Sequence, residues 1–458
     1  MAKERFVIIG AVAAGMSAAS KARRLKPDME IIVFEKTGDV SWAACGMPYL
    51  IADKVKSSSE LVVYDAKFFK EQRDIDVILY NDARQIFPEK KVVVVRDVKT
   101  GDEKEYAYDK LLIATGARAF VPPIKGIDLT GVFTLREFQK GIAIKDYIRK
   151  NSLKDGLIVG AGYIGMEMAE SFSTAGLQVT MIEKMPNILG TMDEEITRVV
   201  EEELKRNNVT LIKSAGVTEF IGDRSSLARV VTDTGTAINA QIALIGAGIR
   251  PNSEIAKSGG MELGRTGAIK VNERTETSVS DIYAAGDCAE AYHLVLHRNA
   301  YIPLGTTANK QGRVAGENAA GGNATFAGIV GTAIFKTFDL EVGRTGLTEK
   351  EARTEGIDCA ANVVKHYSRA FYYPGRSDIT VKLVADRKTG LVLGAQMAGR
   401  EGVAKRIDVF AAAITAGMTV SQVENLDLGY SPPFAPVYDP VLVAATELQK
   451  KLSKKLAV

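Results

Sequence analysis

Short apolar runs alternate with helical patterns through the first two-thirds of the chain. Phe6-Val7-Ile8-Ile9, Ile31-Ile32-Val33-Phe34 and Leu111-Leu112-Ile113 read as buried strands. So do Leu157-Ile158-Val159, Val179-Thr180-Met181-Ile182 and Leu244-Ile245. Helical runs follow the first and fourth of these, to about Lys26 and about Ala175. Ile196, Val199, Val200 and Leu204 recur at helical spacing among acids and bases, the core face of an amphipathic surface helix. Residues 119–155, with Val121-Pro122-Pro123 and Gly126 in a mixed polar sequence, read as a crossing between domains. From about residue 329 the pattern changes to alternating strands, including Ile379–Val384, with a helix over 402–416. Gly429–Pro440 carries four prolines and predicts a rigid extended segment. A basic helix over Glu447–Leu456 ends the chain.

Glycines punctuate two of the strand-to-helix turns. Gly10-Ala11-Val12-Ala13-Ala14-Gly15 follows the first strand, and Glu35 closes the second about 20 residues after Gly15. Such a turn sets a pyrophosphate on the helix N-terminus, with the acid on the ribose hydroxyls. Val12 stands where the middle glycine is expected, so the backbone there approaches phosphate less freely. The copy Gly160-Ala161-Gly162-Tyr163-Ile164-Gly165 has all three glycines, and Glu183 closes its second strand. An ordinary tight turn explains either copy alone, but not two in the same strand–helix–strand context. The Glu183 carboxylate favours NADH by repelling a 2′-phosphate, while Lys184 beside it softens that preference and leaves NADPH open. Ala114-Thr115-Gly116, Gly246-Ala247-Gly248 and Gly286-Asp287 end further strands, and Asp287, expected at a helix start, suits a polyol hydroxyl. The predicted fold class is α/β, with two Rossmann-like dinucleotide-binding domains and a C-terminal α+β domain.

Composition narrows the partners. The 458 residues carry 59 basic and 56 acidic side chains, a net charge of +3 spread along the chain. That balance argues against nucleic acid as the main partner and leaves room for a local phosphate pocket. No stretch approaches membrane-spanning length, and the N-terminus leads straight into a strand, so the expected location is cytoplasmic. Three dispersed cysteines (Cys45, Cys288, Cys359) and three histidines form neither a disulfide framework nor a metal pattern.

Candidate chemistry concentrates in Ser41-Trp42-Ala43-Ala44-Cys45-Gly46-Met47-Pro48-Tyr49. Pro48 is tolerated in the first turn of a helix. A cysteine at such an N-terminus is stabilised as thiolate, its pKa brought from ~8.5 to roughly 3.5–7.5. The alternative is a buried structural cysteine, the reading given to Cys288 and Cys359.

These motifs together resemble the flavin pyridine nucleotide–disulfide oxidoreductases, over essentially the whole chain. The resemblance implies FAD on the first turn (Gly10, Val12, Ala13, Ala14, Gly15, Glu35, Lys36), with Thr115, Gly116 and Asp287. It implies NADH on the second, with Gly160, Gly162, Tyr163, Ile164, Gly165, Glu183 and Gly248. It divides the chain into an FAD domain (1–118 and 250–328), an NAD(P)H domain (119–249) and a C-terminal dimerisation domain (329–458). Cys45 has no second cysteine nearby and the tail has no histidine, unlike the glutathione reductase and dihydrolipoamide dehydrogenase branches. The first glycine turn lacks the histidine usual in NADH peroxidases and oxidases.

The chain is similar instead to the coenzyme A disulfide reductase branch and its persulfide and polysulfide reductase relatives. Ser41 and Cys45 match its Ser-x-x-x-Cys motif, Tyr430-Ser431-Pro432-Pro433-Phe434 its tail, and Tyr372-Tyr373-Pro374-Gly375 an internal motif. Trp42 replaces the usual Phe, and Ala44 stands where some members have asparagine. The resemblance implies a homodimer in which Tyr430 and Phe434 come from the partner subunit. It implies that Lys21, Arg24, Arg73 and Lys310 contact the phosphates of coenzyme A, although Lys21-Ala22-Arg23-Arg24 read alone is a solvated basic face.

The expected reaction passes two electrons from NADH through FAD to a mixed disulfide of Cys45 with coenzyme A. One cysteine suffices because the coenzyme supplies the second sulfur. Ser41 would hydrogen-bond the thiolate, and Tyr430, Tyr372 or Tyr373 would donate the proton; a packed dimer aromatic is the alternative for Tyr430. A polysulfide or coenzyme A persulfide acceptor, an NADH oxidase and a non-catalytic electron-transfer flavoprotein stay as alternatives, and a rhodanese partner in trans stays open.

Overall fold

The computed structural model describes residues 3–453, which fall into two compact units. The first unit comprises Met1–Phe120, Arg136–Ile142 and Ile249–Ile329. Its centre is a parallel sheet in the order Ile282–Ala284, Lys110–Ile113, Arg5–Ile9, Glu30–Glu35, Asp76–Leu79. Phe6, Val7 and Ile8 have no exposed surface, as expected of a run without polar alternation. The chain leaves this strand through Gly10 at φ +106°, where a Cβ would lie 2.3 Å from the Ala114 carbonyl oxygen. The Ala13–Leu25 helix follows and packs on the Gly305–Ala319 helix with almost no side chain between them. A Cβ on Gly312 or Gly316 would lie 2.2 Å from the carbonyl oxygens of Ala14 and Ala18 respectively. A three-stranded antiparallel meander, Asn81–Phe87, Val92–Asp97 and Glu103–Ala107, completes this core.

The second unit comprises Val121–Leu135, Ala143–Gly248 and Val330–Val458. It repeats the parallel sheet in the same strand sense: Val132–Thr134, Ile242–Ile245, Asp155–Val159, Gln178–Glu183, Thr210–Lys213. Gly160, at φ +99°, takes the role of Gly10. The rest is an antiparallel sheet ordered Ala333–Thr337, Leu340–Gly346, Val392–Gly399, Asp378–Asp386, Cys359–Tyr367. Helices Val403–Thr415 and Pro440–Ser453 pack on it. Within this unit the Lys382 side chain, 4% exposed, is paired with Asp193 at 3.2 Å and with Glu195 and Glu349 at 2.9 Å each. These side chains join the nucleotide sheet's flank to the antiparallel sheet.

Residues 119–155 hold defined elements: Val132–Thr134 pairs with Ile242–Ile245, and Phe138–Lys150 is a helix with Phe138, Gly141, Ile144 and Lys145 buried. Two expectations need correction. The last helix starts at Pro440, because the Asp439 carboxylate caps it by accepting the Val441 N–H at 2.9 Å and proline suits the first position. Residues 454–456 of the expected helix lie outside the described residues. Asp287 lies in a turn after Ile282–Ala284, not at a helix start. No helix among the described residues is long and apolar enough to cross a membrane.

Candidate active site

Each glycine turn is closed by its acid. The Glu35 carboxylate, 7% exposed, accepts the N–H groups of Ala11 at 3.0 Å and Thr37 at 2.9 Å. Glu183 likewise accepts the N–H groups of Ala161 at 2.7 Å and Met185 at 2.9 Å. Glu35 Oε1 also accepts the Thr37 hydroxyl at 2.8 Å, so Glu35 Oε2 and both oxygens of Glu183 keep a lone pair for a ribose hydroxyl. A Cβ on Gly162 would meet nothing within 4 Å, so the second turn presents bare backbone to a pyrophosphate. Gly165 packs under Gly160, Ile164 lies in the first turn of the Tyr163–Thr174 helix, and Gly248 turns at φ +110° before Ile249–Pro251. Lys36 and Lys184 are exposed beside the two acids. These residues fit two dinucleotides, one per turn.

Some of the predicted cofactor residues have partners within the protein. The Tyr163 hydroxyl is 2.9 Å from that of Thr191, its ring is 5.1 Å from Phe335, and burial pushes its phenol up. Asn252 staples the Thr115-Gly116 turn, its amide donating to the Thr115 carbonyl and its N–H to that of Gly116, both at 2.9 Å. The Asp287 carboxylate is ion-paired with Arg136, a residue the sequence pattern does not single out.

A cleft of about 450 Å³ opens beside the first glycine turn. The Ala13–Leu25 helix supplies Ser17, Ser20 and Arg24, while Asn309 and Arg313 come from Gly305–Ala319. Val12, Ser41, Trp42, Tyr64 and Arg73 also line it. The Ser17 hydroxyl donates to Asn309 Oδ1 at 2.7 Å. Arg73 donates to the Ser20 hydroxyl, and its guanidinium lies 5.2–5.4 Å from the ring centroids of Tyr64, Phe68 and Phe69. Three guanidinium groups therefore share one concave surface with several hydroxyls. Of the four predicted phosphate contacts, Arg24 and Arg73 line the cleft. Lys21 does not, being paired with Glu317 at 2.9 Å, and Lys310 is exposed outside the lining. Asn309 and Arg313 escaped the sequence reading. Their only signal is the four-residue spacing they share with Gly312 and Gly316 on the same helix.

Ser41 adopts φ +49°, uncommon for a residue other than glycine. Its N–H donates to the Ala11 carbonyl and its carbonyl accepts from Val63, both at 2.9 Å. Trp42 bridges Val62, and its ring lies 5.3 Å from Phe138. The segment is thus tied to the glycine turn on one side and to 61–63 on the other. Cys45 follows, exposed, in the 3₁₀ turn Ala44–Gly46. The helix expected to begin there is Met47–Ile51, only five residues long with Pro48 second, so its dipole at Cys45 is small. Cys288 and Cys359 are buried.

The tyrosines lie in the second unit. The hydroxyls of Tyr430 and Tyr372 are 3.2 Å apart, and that hydrogen bond raises the Tyr430 phenol. Tyr373 is half-buried beside Arg369. Tyr372, Tyr430 and Phe434 are 60%, 46% and 78% exposed.

The chain is similar to known proteins over almost its whole length. Residues 4–312 match the family described as pyridine nucleotide-disulphide oxidoreductase, and residues 332–440 match its dimerisation domain. The chain is 44% identical to the CoA-dependent NAD(P)H sulfur oxidoreductase of Pyrococcus furiosus, covering 98% of this chain and 100% of that one. It is 32% identical to the coenzyme A disulfide reductase of Staphylococcus haemolyticus, over 94% and 96% of the two chains. The structure of an NAD-dependent persulfide reductase from A. fulgidus superposes with a TM-score of 0.95 at 39% identity, covering 98% of this chain and 84% of the other.

Proposed function

The chain belongs to the pyridine nucleotide-disulphide oxidoreductase family, and on that premise we propose that it uses FAD and NAD(P)H to reduce coenzyme A disulfide, or a coenzyme A persulfide, through Cys45. The observation that carries this reading is the cleft walled by Arg24, Arg73, Arg313 and Ser41, four residues before Cys45. Guanidinium forks suit the phosphates of coenzyme A better than they suit dioxygen or a small thiol. When bound, FAD supplies the two-electron relay from the nicotinamide to the disulfide.

The chain's own residues handle sulfur and protons. The Cys45 thiolate attacks one sulfur of the disulfide, forming a Cys45–coenzyme A bond and releasing the first coenzyme A thiolate. Tyr430 protonates that leaving group, with Tyr372 or Tyr373 as relay. Two electrons and a proton then cleave the mixed disulfide, freeing the second coenzyme A and restoring the thiolate. Ser41 hydrogen-bonds Cys45 between turnovers. With a coenzyme A persulfide the same attack releases hydrosulfide and the reduction frees coenzyme A; relatives named as a CoA-dependent sulfur oxidoreductase and a persulfide reductase support keeping that acceptor beside the disulfide.

The working form is a homodimer in the cytoplasm. The exposed Tyr372, Tyr430 and Phe434 lie within the matched dimerisation segment, and a second copy would cover them. In that arrangement Tyr430 and Phe434 act at the Cys45 site of the partner subunit. Glu183 favours NADH, and the exposed Lys184 admits NADPH. Cys45→Ser should retain FAD and lose turnover with coenzyme A disulfide and persulfide alike. Mass spectrometry of the intact protein should find a reductant-labile coenzyme A adduct on Cys45. Equal turnover by the serine variant overturns the reading, and rapid NADH consumption in air without any disulfide would favour the oxidase alternative.

A further inference from the structure

One buried guanidinium organises the two tyrosine-bearing segments of the second unit. Arg406, on the Val403–Thr415 helix, is 8% exposed. Its Nε donates to the Asp439 carboxylate at 2.8 Å and its Nη1 to the Gly402 carbonyl at 3.2 Å. Its Nη2 donates to the carbonyls of Ser368 at 3.0 Å and Phe434 at 3.2 Å. Ser368 opens the segment that bears Tyr372 and Tyr373, and Phe434 follows Tyr430 by four residues. Asp439 also caps the Pro440–Ser453 helix, so one group holds three pieces of chain. Two further bonds join the same segments: Ala370 N–H to the Pro432 carbonyl, and the phenol pair, both 3.2 Å.

A buried ion pair of this kind adds little net stability over a well-packed apolar pair, because desolvation offsets its attraction. What a planar five-donor fork adds is geometry that a lysine ammonium cannot reproduce. We propose that Arg406 is a positioning residue for the reaction: by holding the Ser368 and Phe434 carbonyls on one guanidinium, it sets the Tyr372–Tyr430 pair where a leaving thiolate can be protonated. The inference rests on the proton-donor reading of Tyr430 given above.

Three variants test it in the full-length, FAD-loaded protein: Arg406→Lys, Tyr430→Phe and their combination. Arg406→Lys keeps the charge against Asp439 and loses the fork. Flavin reduction by NADH in stopped flow should stay within about twofold. In contrast, kcat for coenzyme A disulfide should drop roughly tenfold or more with KM little changed, as small misplacements of a reacting group do. The double variant should be no slower than Tyr430→Phe alone. If Arg406→Lys does not fold, Gly402→Ala replaces it: a Cβ there would lie 2.2 Å from Arg406 Nη1 and should give the same kcat-only loss. Wild-type turnover in the folded variant, or multiplying losses in the combination, overturns the inference. Unchanged kcat in Tyr430→Phe overturns the proton-donor reading itself, and the positioning role with it.

Discussion

Glu167 sits half-buried on the second nucleotide helix, and burial, then the neighbouring Glu170, pushes its carboxyl up to about 7. An acid whose folded pKa is raised holds its proton after the unfolded chain has released it. Its protonated form therefore supports the fold fully below about 4.5, and the support fades as pH climbs to about 7. The span corresponds to on the order of 3 kcal/mol. In denaturant titrations between pH 4 and 8 Glu167 contributes a falling slope of stability against pH, and Glu167→Gln should remove that contribution. An unchanged slope would remove Glu167 as its source. Nothing in the one-dimensional pattern marks this residue, since its titration depends on what lies around the helix. Val12 makes the same point differently: read along the chain it crowds a phosphate turn, whereas in space it walls the cleft that Ser41 and Arg73 share.

Elements were legible where one periodicity dominated. Both strand–helix–strand units follow directly from apolar runs and glycines. The Phe138–Lys150 helix escaped because its buried face includes Gly141 and Lys145, which read as breaker and surface residue. The start of the last helix is hidden because Asp439-Pro440 continues the proline-rich run before it, although an acid followed by proline is itself a start signal. The pairing of the Ala13–Leu25 and Gly305–Ala319 helices depends on two small residues spaced four apart, a pattern that alone signifies little. Its energetic consequence is specific. A side chain at Gly316 would strike the Ala18 backbone, which cannot rotate away. Gly316→Val should destabilise the protein by about 1–3 kcal/mol. It should also weaken coenzyme A binding, because Arg24 and Arg313 separate with the helices. Thermal melts and calorimetric titration check both, and retained affinity would detach the helix pair from the cleft.

Across the whole molecule, the two parallel sheets with matching strand order were foreseeable from the repeated fingerprint, and the change to an antiparallel sheet from the change in texture. The tie within the second unit was not. Asp193, Glu195, Glu349 and Lys382 are scattered over nearly two hundred residues, and each taken singly reads as a solvated charge. Only folding reveals that Lys382 neutralises the buried Asp193. Lys382→Ala should cost about 3–5 kcal/mol by leaving that carboxylate without its counter-charge. A much smaller drop in denaturation midpoint would mean that water reaches Asp193.

The Ala13–Leu25 helix begins at the first dinucleotide turn, lines the cleft with Ser17, Ser20 and Arg24, and is pinned along its back by Gly312 and Gly316. On the proposed reading, cofactor retention and acceptor choice are therefore inherited together through one rod of backbone. A random library aimed at a new thiol acceptor would lose most hits in this helix as apoprotein before any change of preference registered. Productive diversity should instead collect on the facing wall, around Val63 and Tyr64, where a side chain can change without moving the flavin's seat.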